Sequence, residues 1–293
     1  MTDLPSWGFE AGAEIAPGRS VLRPLGGGFR FEVQLVWDDR RLAILVAKVL
    51  RPHLLEDRHA REELEQEAAA LAALAHPVVV RGFEAALDGP HPHLLIEHLE
   101  GPSLRSLIRR DGRLELQQLL PLALHVASAI HYLAEEHWVH LDVKPDNIIM
   151  GIPPRLIDLS LATTVAGATR FTSAVGTDAY MPPEQCLPGS ATVGPPADVW
   201  GLGATLWHAT AGSRPFPRPD GARDSEVAEV RFPQLTQEPI PLPSGTPVEL
   251  ADALRACLRR DPAERPSAAE LVERLQPLAG ALPRKLRVGG RRR

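Results

Sequence analysis

The run His140-Leu141-Asp142-Val143-Lys144-Pro145-Asp146-Asn147 places three side chains with usable chemistry within six positions. Asp142 offers a carboxylate that can orient a hydroxyl and take its proton. Lys144 offers a cation that can neutralise a phosphoryl group in transfer, and Asn147 an amide oxygen suited to a divalent ion. A second candidate metal ligand, Asp158, follows in Ile157-Asp158-Leu159-Ser160. Phosphoryl transfer depends on positioned charge more than on covalent chemistry, and this set supplies such charge.

Two upstream features fit the same chemistry. Gly26-Gly27-Gly28 lies between apolar stretches, and glycines there let backbone N–H groups approach phosphate oxygens with no Cβ in the way. Lys48 stands alone in the apolar run Ile44-Leu45-Val46-Ala47-Lys48-Val49-Leu50, where a cation is costly to bury without a counter-charge. The chain has only three lysines, Lys48, Lys144 and Lys285, and two of them fall in these segments.

The elements that must position these groups are legible in outline. Residues 21–50 read as strands, with Asp38-Asp39 as a turn. Residues 62–75 read as a helix stopped by Pro77, and 78–83 and 93–99 as two further strands. From Ser103 the pattern is mostly helical, with helices expected at 116–136, 198–211, 248–259 and 268–275 and an ordered, Pro-rich surface loop at 239–247. The expected class is α+β. A lead (1–20) precedes a small β-rich lobe with one main helix (21–100). A connector at Glu100-Gly101-Pro102 then opens a larger, mostly helical lobe (101–279), and a basic tail (280–293) follows.

Composition narrows the class. At 293 residues with 44% hydrophobic content the chain suits one large domain or two lobes. A net charge of −5 argues against nucleic acid as the main partner, although Arg284, Lys285, Arg287 and Arg291 to Arg293 crowd the C-terminal end. Cys186 and Cys257 suggest no disulfide framework, which fits a reducing compartment. No apolar run approaches the ~18 residues of a spanning helix, and the first twenty residues show no secretory signal. A cytoplasmic location is expected.

The run from His140 to Asn147 resembles the protein kinase catalytic loop HRDxKxxN, and Asp158-Leu159-Ser160 the DFG motif. Gly26, Gly28 and Val33 resemble the glycine-rich loop GxGxxGxV, with Phe31 at its third glycine. Gly176-Thr177-Asp178-Ala179-Tyr180-Met181-Pro182-Pro183-Glu184-Gln185 is similar to GTxxYMAPEQ, with Pro182 for Ala. Over residues 21–275 the chain resembles the bacterial-type Ser/Thr protein kinases, which implies a bilobal protein-kinase-like fold, ATP and Mg²⁺ as cofactors, and a protein substrate with a Ser or Thr acceptor.

The resemblance assigns roles by position. Asp142 would be the catalytic base and Lys144 the γ-phosphoryl partner; Asn147 and Asp158 would hold the metal. Lys48 would bind the nucleotide phosphates and pair with Glu67, with Glu63 as runner-up. Val33 and Val46 would cap the adenine and Ile149 close it from below. Ile96 would be the gatekeeper, and Glu97 and Leu99 would offer backbone groups to the adenine edge. His140, Leu159 and Leu71 would form an apolar column, Glu184 would pair with Arg265, and Asp198 would hold the catalytic loop through its amides.

Three departures carry expectations of their own. Leu141 replaces the Arg that binds activation-loop phosphate, so activity is expected not to need phosphorylation at Thr163, Thr164, Thr169, Thr172 or Ser173. Ser160 for Gly restricts backbone flipping beside Asp158, and Phe31 is expected to cover the phosphates or slow nucleotide exchange. A nucleotide-binding pseudokinase scaffold is the alternative function. A small-molecule kinase ranks lower, because the segment from Tyr180 to Gln185 favours a protein acceptor.

Overall fold

Apolar residues in the first hundred positions fall on strand faces that close into one antiparallel sheet in the computed structural model, which describes residues 4–282. Its strands are β1 (Glu14–Ala16), β2 (Arg19–Gly27), β3 (Phe31–Asp38) and β4 (Ala43–Leu50), then, after helix α1 (Arg58–Ala73), β5 (Gly82–Ala86) and β6 (His93–Glu97). Their spatial order is β1-β2-β3-β4-β6-β5. The register sets Val33 opposite Lys48 and Val46 opposite Ile96. With a side-chain period of two, Val46 and Lys48 project from the same face of β4. The sheet starts inside the stretch read as a lead, and Trp7 and Phe9 pack against its core of Ile15, Val21, Val36 and Leu45.

Helix α1 begins four residues before the sequence-based start because Asp57 caps it, accepting from the Ala60 amide at 2.8 Å. Its buried stripe is Ala60, Leu64, Glu67 and Ala70, so Glu67 alone among the neighbouring glutamates is fully buried.

The strand expected at 78–83 is a correction. The strand forms at Gly82–Ala86, while Val78, Val79 and Val80 are buried and bond toward the helical part of the chain. Val80 N donates to Leu156 O at 2.9 Å and Leu156 N to Val78 O at 2.6 Å. A run of β-branched residues satisfies a stretch covered on both sides as well as it satisfies a sheet strand, so periodicity could not separate the two.

Residues 98–103 carry the chain into α2 (Leu104–Asp111) and α3 (Leu116–Glu135). Four two-residue strands follow: β7 (Trp138–Val139), β8 (Ile148–Ile149), β9 (Arg155–Leu156) and β10 (Thr163–Thr164). Next come α4 (Val165–Ala168), α5 (Pro183–Cys186), α6 (Pro195–Ala211), α7 (Ala228–Arg231), α8 (Val248–Cys257) and α9 (Ala268–Gly280). Helix α6 is buried from Ala197 through Thr210, the mark of a helix surrounded by its own domain. Around it α2, α3, α8 and α9 build the largest core, where Trp200 stacks on Phe216 at 5.7 Å.

β8 pairs with β9 and β7 with β10, and these short ladders bracket the segments that carry Asp142, Asn147 and Asp158. Both cysteines are buried and free. Among the described residues no helix is long and apolar enough to cross a membrane. Residues 283–293 of the basic tail lie outside the described residues.

Candidate active site

A cleft of about 1050 Å³ opens between the sheet and the helices. Lys48 reaches into it from β4. Its Nζ donates to Glu67 Oε2 at 2.7 Å and to Asp158 Oδ1 at 2.8 Å, and lies 4.9 Å from the centre of the Phe31 ring. Burial works against the ammonium, but attraction to Glu67 and Asp158 outweighs it and raises the Lys48 pKa. Burial likewise opposes the Asp158 charge, yet Lys48 holds that carboxyl well below the usual carboxylate range, with Ser160 also bonding to it. Glu63, the runner-up partner for Lys48, instead pairs with Arg30 at 3.1 Å. The two glutamates lie one turn apart on the same side of α1 and both line the cleft, so their tertiary partners separate them: Glu67 meets Lys48 and Glu63 meets Arg30.

The loop after β7 is held from beneath. Buried Asp198 on α6 accepts the His140 and Leu141 amides, each at 2.7 Å. Burial pushes the Asp198 carboxyl up, and the two amides pull it back toward ionisation. Leu141 adopts φ +64°, a left-handed conformation costing a branched side chain roughly 1–2 kcal/mol. The Asp198 bond to its N–H and a 3.0 Å bond from Gln185 Nε2 to its carbonyl fix that conformation. Asp158, which lines the cleft, adopts φ +65°.

Above this loop the polar groups converge. Asp142 Oδ1 accepts from Thr177 Oγ1 at 2.8 Å, and Asp142 Oδ2 from Lys144 Nζ at 2.5 Å. Lys144 Nζ also donates to Thr177 Oγ1 at 2.7 Å, closing a triangle. Asn147 Nδ2 donates to the Asp142 carbonyl at 3.0 Å and to its Oδ2 at 3.1 Å, which leaves Oδ1 as the amide's remaining acceptor. Asn147 and Asp158 therefore present hard oxygens of the kind a small divalent cation prefers. Among the described residues no cluster of three or more His, Cys, Asp or Glu could hold a metal, so an ion here would draw its other ligands from phosphates and water.

Val33, Val46, Ile96, Glu97, Leu99 and Ile149 all line the cleft, as do Lys48, Glu67, Asp142, Lys144, Asn147, Asp158 and Gly28. Gly26 does not; the lining position is Gly27, which the motif spacing passed over. Gly27 sits at φ +153°, and a Cβ there would lie 2.5 Å from the Phe31 carbonyl oxygen, so this turn excludes any other residue. Val80 and Ile157 also line the cleft and carried no motif signal. Phe31 lines the cleft as well: its ring lies against Lys48 Nζ and, 8% exposed, packs with Leu50, Leu54, Ala60, Leu64 and Leu94.

Around the cleft, Leu159 and Leu71 share one apolar cluster, and His140, fully buried, accepts from the Asp142 amide at 3.3 Å. The Glu97 side chain is drawn away by Arg155 Nη1 at 3.2 Å. Below Thr177, Glu184 and Arg265 form a buried bidentate pair at 2.6 and 2.8 Å, with the guanidinium 4.9 Å from the Trp200 ring centre.

Comparison with known proteins agrees with this geometry. The protein kinase domain family matches residues 19–275. The chain is 31% identical over 254 residues to the serine/threonine-protein kinase PknB of Mycobacterium leprae, a match covering 82% of this chain and 39% of that protein. It is 32% identical over 258 residues to the serine/threonine-protein kinase PknK of Mycobacterium tuberculosis, covering 85% of this chain and 22% of that one. The chain thus spans well under half the length of these relatives. With a family match over most of its length and a cleft that gathers the motif residues, the chain belongs to the protein kinase family.

Proposed function

We propose that this chain is a Ser/Thr protein kinase that transfers the γ-phosphoryl of ATP, with Mg²⁺, to a protein hydroxyl. The observation that carries the reading is the Asp142–Lys144–Thr177 triangle facing the Lys48–Glu67–Asp158 group across one cleft. Asp142 is placed to orient an acceptor hydroxyl and take its proton late in a loose transition state. Lys144, already bonded to Asp142, brings positive charge to the same point, and Thr177 keeps both side chains in place. Lys48, held charged by two carboxylates, presents its ammonium to nucleotide phosphates. Mg²⁺ held by Asn147 and Asp158 would supply charge neutralisation at the phosphate oxygens. A protein acceptor is supported by the Thr177–Gln185 segment, which Arg265 ties to the helical core through Glu184 and Gln185 ties to the Leu141 carbonyl. Two free, buried cysteines accord with a reducing, cytoplasmic setting.

Activity without activation-loop phosphorylation belongs to the same proposal. Leu141 is 3% exposed in an apolar cluster with Val139, Ala168, Val193 and Ala197, against which Leu161, Val165 and Phe171 pack. Apolar packing there can order the segment with no phosphate present. Phosphatase treatment that abolished activity, restored by a phosphomimetic at Thr163, Thr164, Thr169, Thr172 or Ser173, would refute this part.

The test is transfer of labelled phosphate from γ-labelled ATP to a generic basic protein, beside Asp142→Asn and Lys48→Met, with phosphoamino-acid analysis. Label on Ser or Thr that both variants lose is the expected result. A wild-type chain that ATP stabilises thermally but that transfers nothing would make it a nucleotide-binding scaffold.

A further inference from the structure

The turn between β2 and β3 is tied to a segment outside the sheet. Arg51, just past β4, donates from Nε to the Gly28 carbonyl at 2.8 Å. From Nη1 it donates to the Pro5 carbonyl at 3.0 Å and to Glu32 Oε1 at 3.3 Å. Its side chain is 12% exposed and that of Glu32 5%, so this is a nearly buried charge pair bridging three pieces of chain.

The segment around Pro5 is itself anchored. Trp7 N donates to Glu32 Oε1 at 2.9 Å, and Trp7 Nε1 to the Leu50 carbonyl at 2.8 Å. The Trp7 ring meets His91 edge-on at 4.5 Å, and Phe9 meets the same imidazole at 5.1 Å. Residues 5–9 therefore lie as a strap across the outside of the sheet, and Arg51 is its one direct link to the turn among the described hydrogen bonds.

The turn is held besides by Arg51 N on the Arg30 carbonyl at 2.9 Å, by the ladder that sets Gly26 opposite Val33 and Gly27 opposite Glu32, and by Phe29 edge-on to His53 at 5.7 Å. Gly28, Phe29 and Arg30 are exposed, and its own closing bond is Gly28 N to Phe31 O at 3.0 Å. Phe31 is buried on one side of it, and Arg30 reaches Glu63 on the other. A guanidinium presents N–H groups in a rigid planar fork, so it can hold the Gly28 and Pro5 carbonyls at a set separation, which a single ammonium on a flexible stem cannot do.

We propose that Arg51 is a positioning residue: through it the strap of residues 5–9 sets the Gly26–Gly27–Gly28 turn at the height from which its backbone N–H groups meet nucleotide phosphates. The proposal rests on the nucleotide reading of the cleft given above. It makes a sharp distinction, because the turn faces the phosphates and not the base. Loosening the strap weakens ligands with phosphates and leaves adenosine alone.

The experiment is calorimetric titration of ATP with Mg²⁺, and of adenosine, into the full chain, Arg51→Lys and Trp7→Leu, with melting temperatures confirming folded protein. Arg51→Lys keeps the charge beside Glu32 but loses the fork; Trp7→Leu changes no charge and loosens the strap alone. Both variants are expected to bind ATP about tenfold more weakly, the scale of one charge-assisted hydrogen bond, with adenosine affinity unchanged. KM for ATP should rise by a similar factor while kcat stays within about twofold. Folded variants that bind ATP like the wild type overturn the proposal, and so does an equal loss for ATP and adenosine, which would make the strap a general brace of the sheet. A folded wild type that binds neither ligand removes the nucleotide reading itself.

Discussion

Replacing Arg265 by Met removes the cation from the most enclosed ion pair of the fold. Arg265 uses all its donors: Nε on Arg259 O, Nη1 on Glu184 and Pro196 O, Nη2 on Glu184 and Arg260 O, at 2.6 to 3.1 Å. Its side chain and that of Glu184 are 0% and 1% exposed, so the orphaned carboxylate would have no solvent to turn to. Breaking such a pair from one side costs about 3–5 kcal/mol. For a chain of this size about 2–4 °C of melting temperature accompanies each kcal/mol, which places the Arg265→Met midpoint roughly 6–20 °C below wild type. Thermal unfolding followed by far-UV circular dichroism at neutral pH reads this directly. Glu184→Leu combined with Arg265→Met should recover part of the loss, because no unpaired charge is then buried. A single variant within about 2 °C of wild type, or a double variant less stable than Arg265→Met alone, would refute the reasoning.

Other outcomes follow from the same geometry. Asp142→Asn should lower kcat for phosphoryl transfer by about 10²–10⁴ with ATP affinity nearly unchanged, measured by steady-state kinetics and calorimetry. Thr177→Val, which takes one bond from Asp142 and one from Lys144, should lower kcat by a smaller factor and leave ATP binding intact. Gly203→Ala places a Cβ 2.5 Å from that of Cys257 and should destabilise the packing of α6 on α8 by about 1–3 kcal/mol in denaturant titration. His208 is paired with the Tyr180 hydroxyl at 2.7 Å, and burial, with Arg105 and Arg214 nearby, lowers its pKa to about 4. The unfolded imidazole takes its proton near 6.5 and the folded one only near 4, so its contribution is complete above 6.5 and lost as pH falls to 4. His208→Gln should flatten the melting temperature across that interval, and an unchanged slope would exclude His208 as its source.

The sequence by itself determined the family, the order of the two lobes and the chemical groups of the cleft. Spacing within one short loop fixes Asp142, Lys144 and Asn147 together, since the backbone between them is too short to separate them. The helical pattern placed α3, α6, α8 and α9, four of the eight helices described in the larger lobe, for the same local reason. The resemblance prefers Glu67 to Glu63; the two share a side of α1, and only the tertiary positions of Lys48 and Arg30 separate them. Where local rules conflicted with tertiary partners they failed. Val78, Val79 and Val80 read as a sheet strand but bond to Leu156, and no pattern within the segment identifies a partner so far along the chain. Gly27, not Gly26, lines the cleft because the position that excludes a side chain depends on where the Phe31 carbonyl lies across the turn. The tertiary structure alone decided that Phe31 turns inward, that Leu141 closes an apolar cluster, and that Arg51 joins Pro5 to Gly28. Each of these depends on the distance between residues remote in sequence, which only the folded chain sets.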